Sequence, residues 1–317
     1  MAVLIITNRT DYTADFLILE LLARNVEYFR LNTEEYPTGL SIEMGFGKGM
    51  EGRFLFHTGV LPFADVKSVW FRRPVDPVPS PDLDEPSRNF VVSESRALLE
   101  GVWPCLDCLW VSRPDRVRAA ERKPFQLKTA IELGFKIPPT IITSLPETVT
   151  NFSDSHQEII YKPMSSARIL DKDSAKSIFT TRIDSLQPND LVGLAFAPCL
   201  FQEHVEKECD IRVTVIGKLC LTVAIHSQGN ADSKVDWRRV GAQELHHEVH
   251  RLPEDIEKKC LSLVRILGLE FGAIDFILTK TGEYIFLEIN PNGQWAWIQQ
   301  LCPGIPLRET LADLLLS

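Results

Sequence analysis

Phe271-Gly-Ala-Ile-Asp-Phe-Ile-Leu-Thr279 and Tyr284-Ile-Phe-Leu-Glu-Ile-Asn-Pro291 are the two runs whose reading decides the fold. Both are rich in β-branched and aromatic residues, and Lys280-Thr281-Gly282 between them supplies a turn, so the pair reads as a hairpin over 271–279 and 284–290. Asp275 stands in an otherwise apolar strand. Glu288 and Asn290 are two apart on the return strand, so their side chains share one face. The turn near Gly282 can bring Asp275 opposite them. Two anionic oxygen ligands and one neutral one are what magnesium takes alongside phosphate oxygens and water. A hairpin with a solvated polar face is the competing reading, and the apolar flanks of both runs argue against it.

Outward from this hairpin the chain divides into three regions, expected at 1–112, 113–190 and 191–317. The last also holds a hairpin over 210–216 and 219–226 turning at Gly217-Lys218, a helix over about 254–267 and a closing helix over 307–316. The first opens with a strand over 3–7. A helix over about 11–24 follows, with Phe16, Leu19 and Leu22/Ala23 at helical spacing, and then a strand over 26–31. A glycine-rich passage, a strand over 66–72, a proline-rich loop over 74–86 and a helix over about 86–99 complete it. This strand–helix–strand pattern implies a small α/β unit with a parallel sheet. In the middle region a helix over about 123–133 stops at Gly134, and Pro138-Pro139 lead into a strand over 140–143. Short strands are expected over 158–162 and 177–183.

Two lysines are placed to hold phosphate. Lys123 starts a helix, and Lys162 ends an apolar strand before Pro163, which points its charge out of the sheet. Taken singly, each is more often a surface lysine than a functional one. Gln202-Glu203-His204-Val205 reads as an extended connector whose backbone can meet an adenine edge. Asp210 suits a ribose hydroxyl or a substrate group, and Arg212, on the same strand face, suits phosphate or carboxylate. A charged edge strand is the alternative for this stretch.

The net charge of -9 over 317 residues, with no basic run, argues against a nucleic-acid partner. No apolar run is long enough to span a bilayer, and the apolar N-terminus lacks a cationic flank, so no membrane partner and a cytoplasmic location are expected. Seven scattered cysteines fit reduced thiols, and Cys105-Leu-Asp-Cys108 is a lone pair without a second. His246-His247-x-x-His250 sits in polar surroundings that favour a solvated face over a metal site. There is no Gly-x-Ser-x-Gly elbow and no Walker phosphate loop.

In order, Lys123, Tyr161-Lys162-Pro163, Gln202-Glu203-His204-Val205, Asp210-Ile-Arg212, Asp275 and Glu288-Ile-Asn290-Pro291 resemble the ATP-grasp superfamily over most of the chain. The resemblance implies an α/β chain with an ATP-grasp fold: an N-terminal pre-ATP-grasp α/β domain, a small central domain and a C-terminal hairpin-rich domain. It implies lysines gripping the phosphates of ATP, a linker holding adenine, and Asp275, Glu288 and Asn290 binding two magnesium ions. Arg238 is implied to face the phosphates.

A narrower resemblance, carried by Trp70-Phe-Arg-Arg-Pro74, Ala224-Ile-His-Ser-Gln228, Asp236-Trp-Arg238 and Tyr284-Ile-Phe-Leu-Glu-Ile-Asn-Pro291, is to the microviridin-type graspetide synthetases. It implies a precursor peptide as partner, with a leader and a core carrying Asp/Glu and Thr, Ser or Lys. Side-chain carboxylates would be joined there to hydroxyls or amines. Asp210 and Arg212 fit that family's core-peptide contact as well as the ribose role, and a homodimer follows from the resemblance alone. Arg72, Arg73, Arg168, Arg238 and Arg239 are candidates for an acidic-peptide patch. The glycine-rich phosphate loop common in the superfamily is missing after Lys162, where Ser165, Ser166 and their amides stand in, and 172–176 leaves little room for a lid. The rivals are a ligase adding glutamate or another small amino acid, and a nucleotide-binding module without catalysis. The intact Asp275/Glu288/Asn290 set argues against the second.

Overall fold

Strand β1 (Ala2–Thr7) is buried along its whole length because its two faces feed two cores. The computed structural model describes residues 1–165, 168–171, 174–183 and 185–317; Ser166, Lys172 and the side chains of Arg168 and Lys176 lie outside what is described. Val3 and Ile5 pack with Ala14, Leu17 and Leu21 of helix α1 (Tyr12–Ala23), which Asp11 caps by accepting from the Thr13 N–H. After β2 (Tyr28–Asn32) comes an antiparallel meander, β3 (Ser41–Phe46), β4 (Met50–Phe56) and β5 (Gly59–Pro62), where only a glycine-rich passage was expected. Glycines 45, 47 and 49 hide the alternation there. Gly52 is needed because a Cβ would fall 2.3 Å from the Phe63 ring. Strand β6 (Val66–Phe71), helix α2 (Glu85–Val102) and β7 (Leu109–Val111) complete a parallel sheet in the order β2-β1-β6-β7. Leu4 and Ile6 meet Leu99 and Val102 of α2 on its other face.

Helices α3 (Pro114–Ala120) and α4 (Lys123–Glu132) lead into the middle of the chain, and Gly134 (φ 72°) ends α4 as expected. Strand β8 (Thr140–Thr143), helix α5 (Pro146–Asp154) and β9 (Ile159–Lys162) follow. The single strand expected over 177–183 is instead two pieces: β11 (Ser174–Ser177), paired with β10 (Arg168–Asp171), and β12 (Thr181–Ile183). Strand β13 (Cys199–Glu203) joins them in an antiparallel sheet of order β12-β9-β13-β8.

The C-terminal sheet has the order β16-β15-β14-β17-β18, from β14 (Cys209–Ile216), β15 (Leu219–His226), β16 (His246–Val249), β17 (Phe271–Leu278) and β18 (Tyr284–Asn290). Helix α6 (Glu254–Ile266) packs on it through Cys260, Leu263 and Val264, while α7 (Ala296–Leu301) and α8 (Leu307–Leu316) tie it to α1 and β6. Ile211, Val213, Ile274 and Phe276 share one core with Leu4, Phe71 and also Ala120 and Ala130 of α3 and α4. Val149, Phe152, Ile159, Leu191, Leu194 and Phe201 form a small core of their own. The cores therefore draw boundaries away from the expected 112/113 and 190/191: α3 and α4 pack with the main body, and β13 belongs to the central sheet. We propose a main body of 1–137 and 204–317 with a central unit of 138–203.

Candidate active site

The central sheet and the C-terminal sheet face each other across a cleft of about 580 Å³, within the range that holds a nucleotide-sized ligand. On the C-terminal side, strand register does what the hairpin reading requires. Asp275 is directly opposite Glu288, and Ala273 opposite Asn290, with an irregularity at Leu287 that returns Glu288 to the cleft face. Asp275, Glu288 and Asn290 all line the cleft.

Cations surround the carboxylates. Lys123 Nζ donates to Glu288 at 2.5 Å, and Arg238 Nη1 lies 3.8 Å from the same carboxylate. Burial opposes the Glu288 charge, but Lys123, Arg238 and Lys162 outweigh it and hold the group at about 2. Burial is also the main influence on Lys162, which it lowers to about 8 against the pull of Glu288. Lys162 donates to Gln202 Oε1 at 2.8 Å, and Gln202 in turn donates to Thr140 Oγ1 at 2.8 Å. Gln202 is thus a buried side-chain brace for the lysine. Glu203, His204 and Val205 continue the wall, with the His204 N–H tied to the Glu158 carbonyl and the Glu203 N–H to that of Pro139.

Two expected roles change. Asp210 lines the cleft but is not a free acceptor: Lys207 Nζ donates to both its oxygens at 2.7 and 2.8 Å, and Ser227 Oγ donates at 2.6 Å. Burial pushes this carboxyl up while Lys207 and Ser227 pull it down. Arg212 does not line the cleft. It lies behind Asp275, gripping both carboxylate oxygens at 2.9 and 2.8 Å, because the two are cross-strand partners in β14 and β17. Its other nitrogen reaches the Gln294 carbonyl. Gly293 makes that approach feasible, since a Cβ there would sit 2.6 Å from Arg212 Nη2 and 2.3 Å from Ala273 Cβ.

Of the arginines expected to line an acidic-peptide patch, Arg72 and Arg239 are engaged elsewhere. Arg72 is only 1% exposed and donates to the Asn292 carbonyl and Gln294 Oε1, so it fastens the turn after β18 to the N-terminal unit. Burial lowers its pKa to about 9, with Asp11 partly compensating. Arg239 donates to the Thr180 carbonyl and stacks over Phe179. Arg238 does face the cleft, fixed by Asp236 through two bonds of 2.8 Å. Asp236 also accepts from the Thr180 N–H at 3.1 Å, joining this loop to the central unit. Lys207, Asp236 and the Arg72 tether were not anticipated. Arg72 and Asp236 stand in segments that carry the narrower resemblance, and Lys207 has only its closeness to Asp210 in the chain.

The donor set fits magnesium by its own chemistry: two ionisable carboxylates opposed across a strand pair, an amide oxygen beside them, and open space in front. With the paired lysines and the connector, the cleft and its sheets define a protein of the ATP-grasp class. Residues 2–118 match the family model for the MvdD pre-ATP grasp domain. The chain is similar to the RiPP-associated ATP-grasp ligase of Chryseobacterium gregarium, solved with ADP and a leader and core peptide, at 29% identity over 99% of this chain and 96% of that one (TM-score 0.92). It is similar also to the macrocyclase MdnC of Microcystis aeruginosa MRC, solved with precursor peptide MdnA, at 30% identity over 100% and 99% of the two chains (TM-score 0.88). Human N-acetylaspartylglutamate synthase A matches at 23% identity over 218 residues, 67% of this chain but only 53%, about half, of that protein's length. The chain belongs to the microviridin-type family of peptide-modifying ATP-grasp ligases.

Proposed function

We propose that this chain uses ATP to phosphorylate the side-chain carboxylate of an Asp or Glu in a ribosomally made precursor peptide. It then joins that acyl group to a Thr or Ser hydroxyl (ω-ester) or a Lys amine (ω-amide), with a leader segment holding the precursor. The end-to-end likeness to a precursor-bound macrocyclase carries this reading. Among the described residues no helix is long and apolar enough to cross a membrane.

A carboxylate is a poor electrophile because its leaving group would be oxide. Its oxygen attacks the γ-phosphorus, the bond to ADP breaks, and phosphate becomes the leaving group of the acyl phosphate. Lys123, Lys162 and Arg238 bind the phosphate oxygens and stabilise the charge that shifts during transfer. Asp275, Glu288 and Asn290 would hold two magnesium ions, which would supply neutralising charge for the phosphates. In the resting protein Glu288 is paired with Lys123 and Asp275 with Arg212, and these ion pairs keep each side chain aimed at the cleft. Arg212 is therefore a positioning residue. Glu203 to Val205 supply the edge for adenine, and Ile160, Ile178 and Leu287 its apolar walls. Because Lys207 and Ser227 occupy the Asp210 oxygens, the departing phosphate takes the proton as the hydroxyl or amine adds to the carbonyl. A homodimer is proposed from the family alone.

The match to N-acetylaspartylglutamate synthase A favours one second reading, a ligase joining a small amino acid to a carboxylate. Mass spectrometry of a precursor peptide encoded beside the gene, after incubation with protein, ATP and magnesium, separates the two. Successive losses of water, absent with Glu288→Gln, are the expected result. An unchanged peptide with ADP formed from free glutamate would favour the second reading. No ADP with either substrate would leave a binding module.

A further inference from the structure

The histidine motif read from sequence is not a unit. His247 bonds the Leu245 carbonyl and packs edge-on against Trp297, and His250 bonds the Tyr284 hydroxyl at 2.7 Å. His246 instead faces a histidine twenty positions away. His226, at the end of β15, is the register partner of His246, at the start of β16. Glu248 is two residues beyond His246 and so shares its face, and its Oε1 lies 2.9 Å from His226 Nε2. The two imidazole rings stack with centroids 5.2 Å apart. One ligand atom from each of the three residues lies within 4.8 Å of the others.

We propose that His226, His246 and Glu248 form a site for a borderline transition cation such as zinc, and that this ion clasps the loop presenting Arg238 to the cleft. The ligand chemistry selects the ion: two imidazoles and one carboxylate suit zinc and neighbouring first-row metals, whereas magnesium prefers all-oxygen sets. Tetrahedral zinc with bonds near 2.0–2.2 Å needs ligand atoms about 3.3 Å apart. Rotations of these exposed side chains on a fixed strand pair reach that from the present spacing, and water takes the fourth position. The place in the fold gives the ion its role. His226 and His246 are the residues at either end of the 227–245 segment, which carries Asp236 and Arg238. Joining them closes that loop at its base and reduces the conformations open to it. It also pins β16, the edge strand, to its neighbour.

The test titrates zinc alone, without nucleotide, into the full chain carrying Asp275→Asn and Glu288→Gln, so that the carboxylates of the cleft do not compete. One ion per chain is expected by competition with a chromophoric chelator. Affinity should fall at least about tenfold on adding His226→Gln and His246→Gln, and by less with Glu248→Gln. These side chains are exposed or half-buried at a sheet edge, so far-UV circular dichroism should be unchanged. In the chain with the histidines intact, zinc should also slow tryptic cleavage after Lys234, Arg238 and Arg239 several-fold, and not in the double histidine variant. Equal zinc affinity with and without the histidines, or no binding to either, would overturn the site. Binding without protection of the loop would overturn the clasp.

Discussion

The two sheets that face each other across the cleft rest on unequal foundations. The C-terminal sheet shares its cores with the N-terminal parallel sheet and with four helices or more, so Asp275 and Glu288 stand on strands that the main body fixes. The central sheet, which carries Lys162 and the Gln202–Glu203 strand end, rests on a small core of its own, formed among the described residues by Val149, Phe152, Ile159, Leu191, Leu194 and Phe201. It meets the C-terminal loop through Asp236 and Arg239 at Thr180. The difference separates two demands on such a site. Groups proposed to hold a metal in one geometry sit on the rigid part, and groups proposed to close over the nucleotide sit on the part with least to hold it still.

Truncation in each core separates the two sheets most directly. Phe276→Ala should cost about 3–5 kcal/mol and lower the melting temperature of the whole chain, since its core is shared by both ends of the sequence. Leu194→Ala should cost about 2–3 kcal/mol, with hydrogen exchange accelerated over 138–203 and little changed in β14 or β17. Uniform acceleration would mean that the central unit is not separate.

Next in size is the chemistry. Glu288→Gln should lower kcat by about 10²-fold or more with the fold intact, because it removes a charge that Lys123 and Arg238 are arranged around. Gln202→Ala, which removes only the brace of Lys162, should act mainly on the KM for ATP, by about tenfold or less. Gly293→Ala should cost about 1–3 kcal/mol, read as a fall in melting temperature, because the new methyl collides with Ala273 and Arg212.

The smallest effect is a proton. Lys162 is held at about 8 by burial without ligand, so near pH 8 about half of it is neutral. Bound phosphate favours the charged form and raises that value. Nucleotide binding should therefore take up about half a proton at pH 8 and almost none at pH 6.5, where the lysine is already charged. Calorimetry in buffers of different ionisation enthalpy measures this, and Lys162→Gln should abolish the pH-dependent part.

Much of this was legible before any coordinates. The hairpin could be read because two β-rich runs and a Thr-Gly turn mark it, whereas the irregularity at Leu287 that sets Asp275 opposite Glu288 has no signal in the alternation. Arg212 was harder: its strand face was right, but its partner depends on β14 lying beside β17, a pairing between strands sixty residues apart. Strand β13 is hard to see in the sequence, because its last two residues read as part of the Gln202–Val205 connector and the charged run from Glu203 to Glu208 masks its apolar start. Arg72 looked like surface charge, and only the packing of the turn after β18 against the N-terminal sheet shows it to be buried. Local patterns therefore revealed which residues carry chemistry. The partners that aim them come from long-range pairing, which no local pattern encodes.

The cleft is proposed to activate a carboxylate as its acyl phosphate. That activation is tested most directly by supplying a precursor peptide whose acidic side chains carry isotopically labelled oxygen and examining the phosphate released. Transfer of one labelled oxygen to phosphate for each bond formed is the predicted result. Bond formation with unlabelled phosphate would mean that the carboxylate never attacked ATP, and would contradict the account.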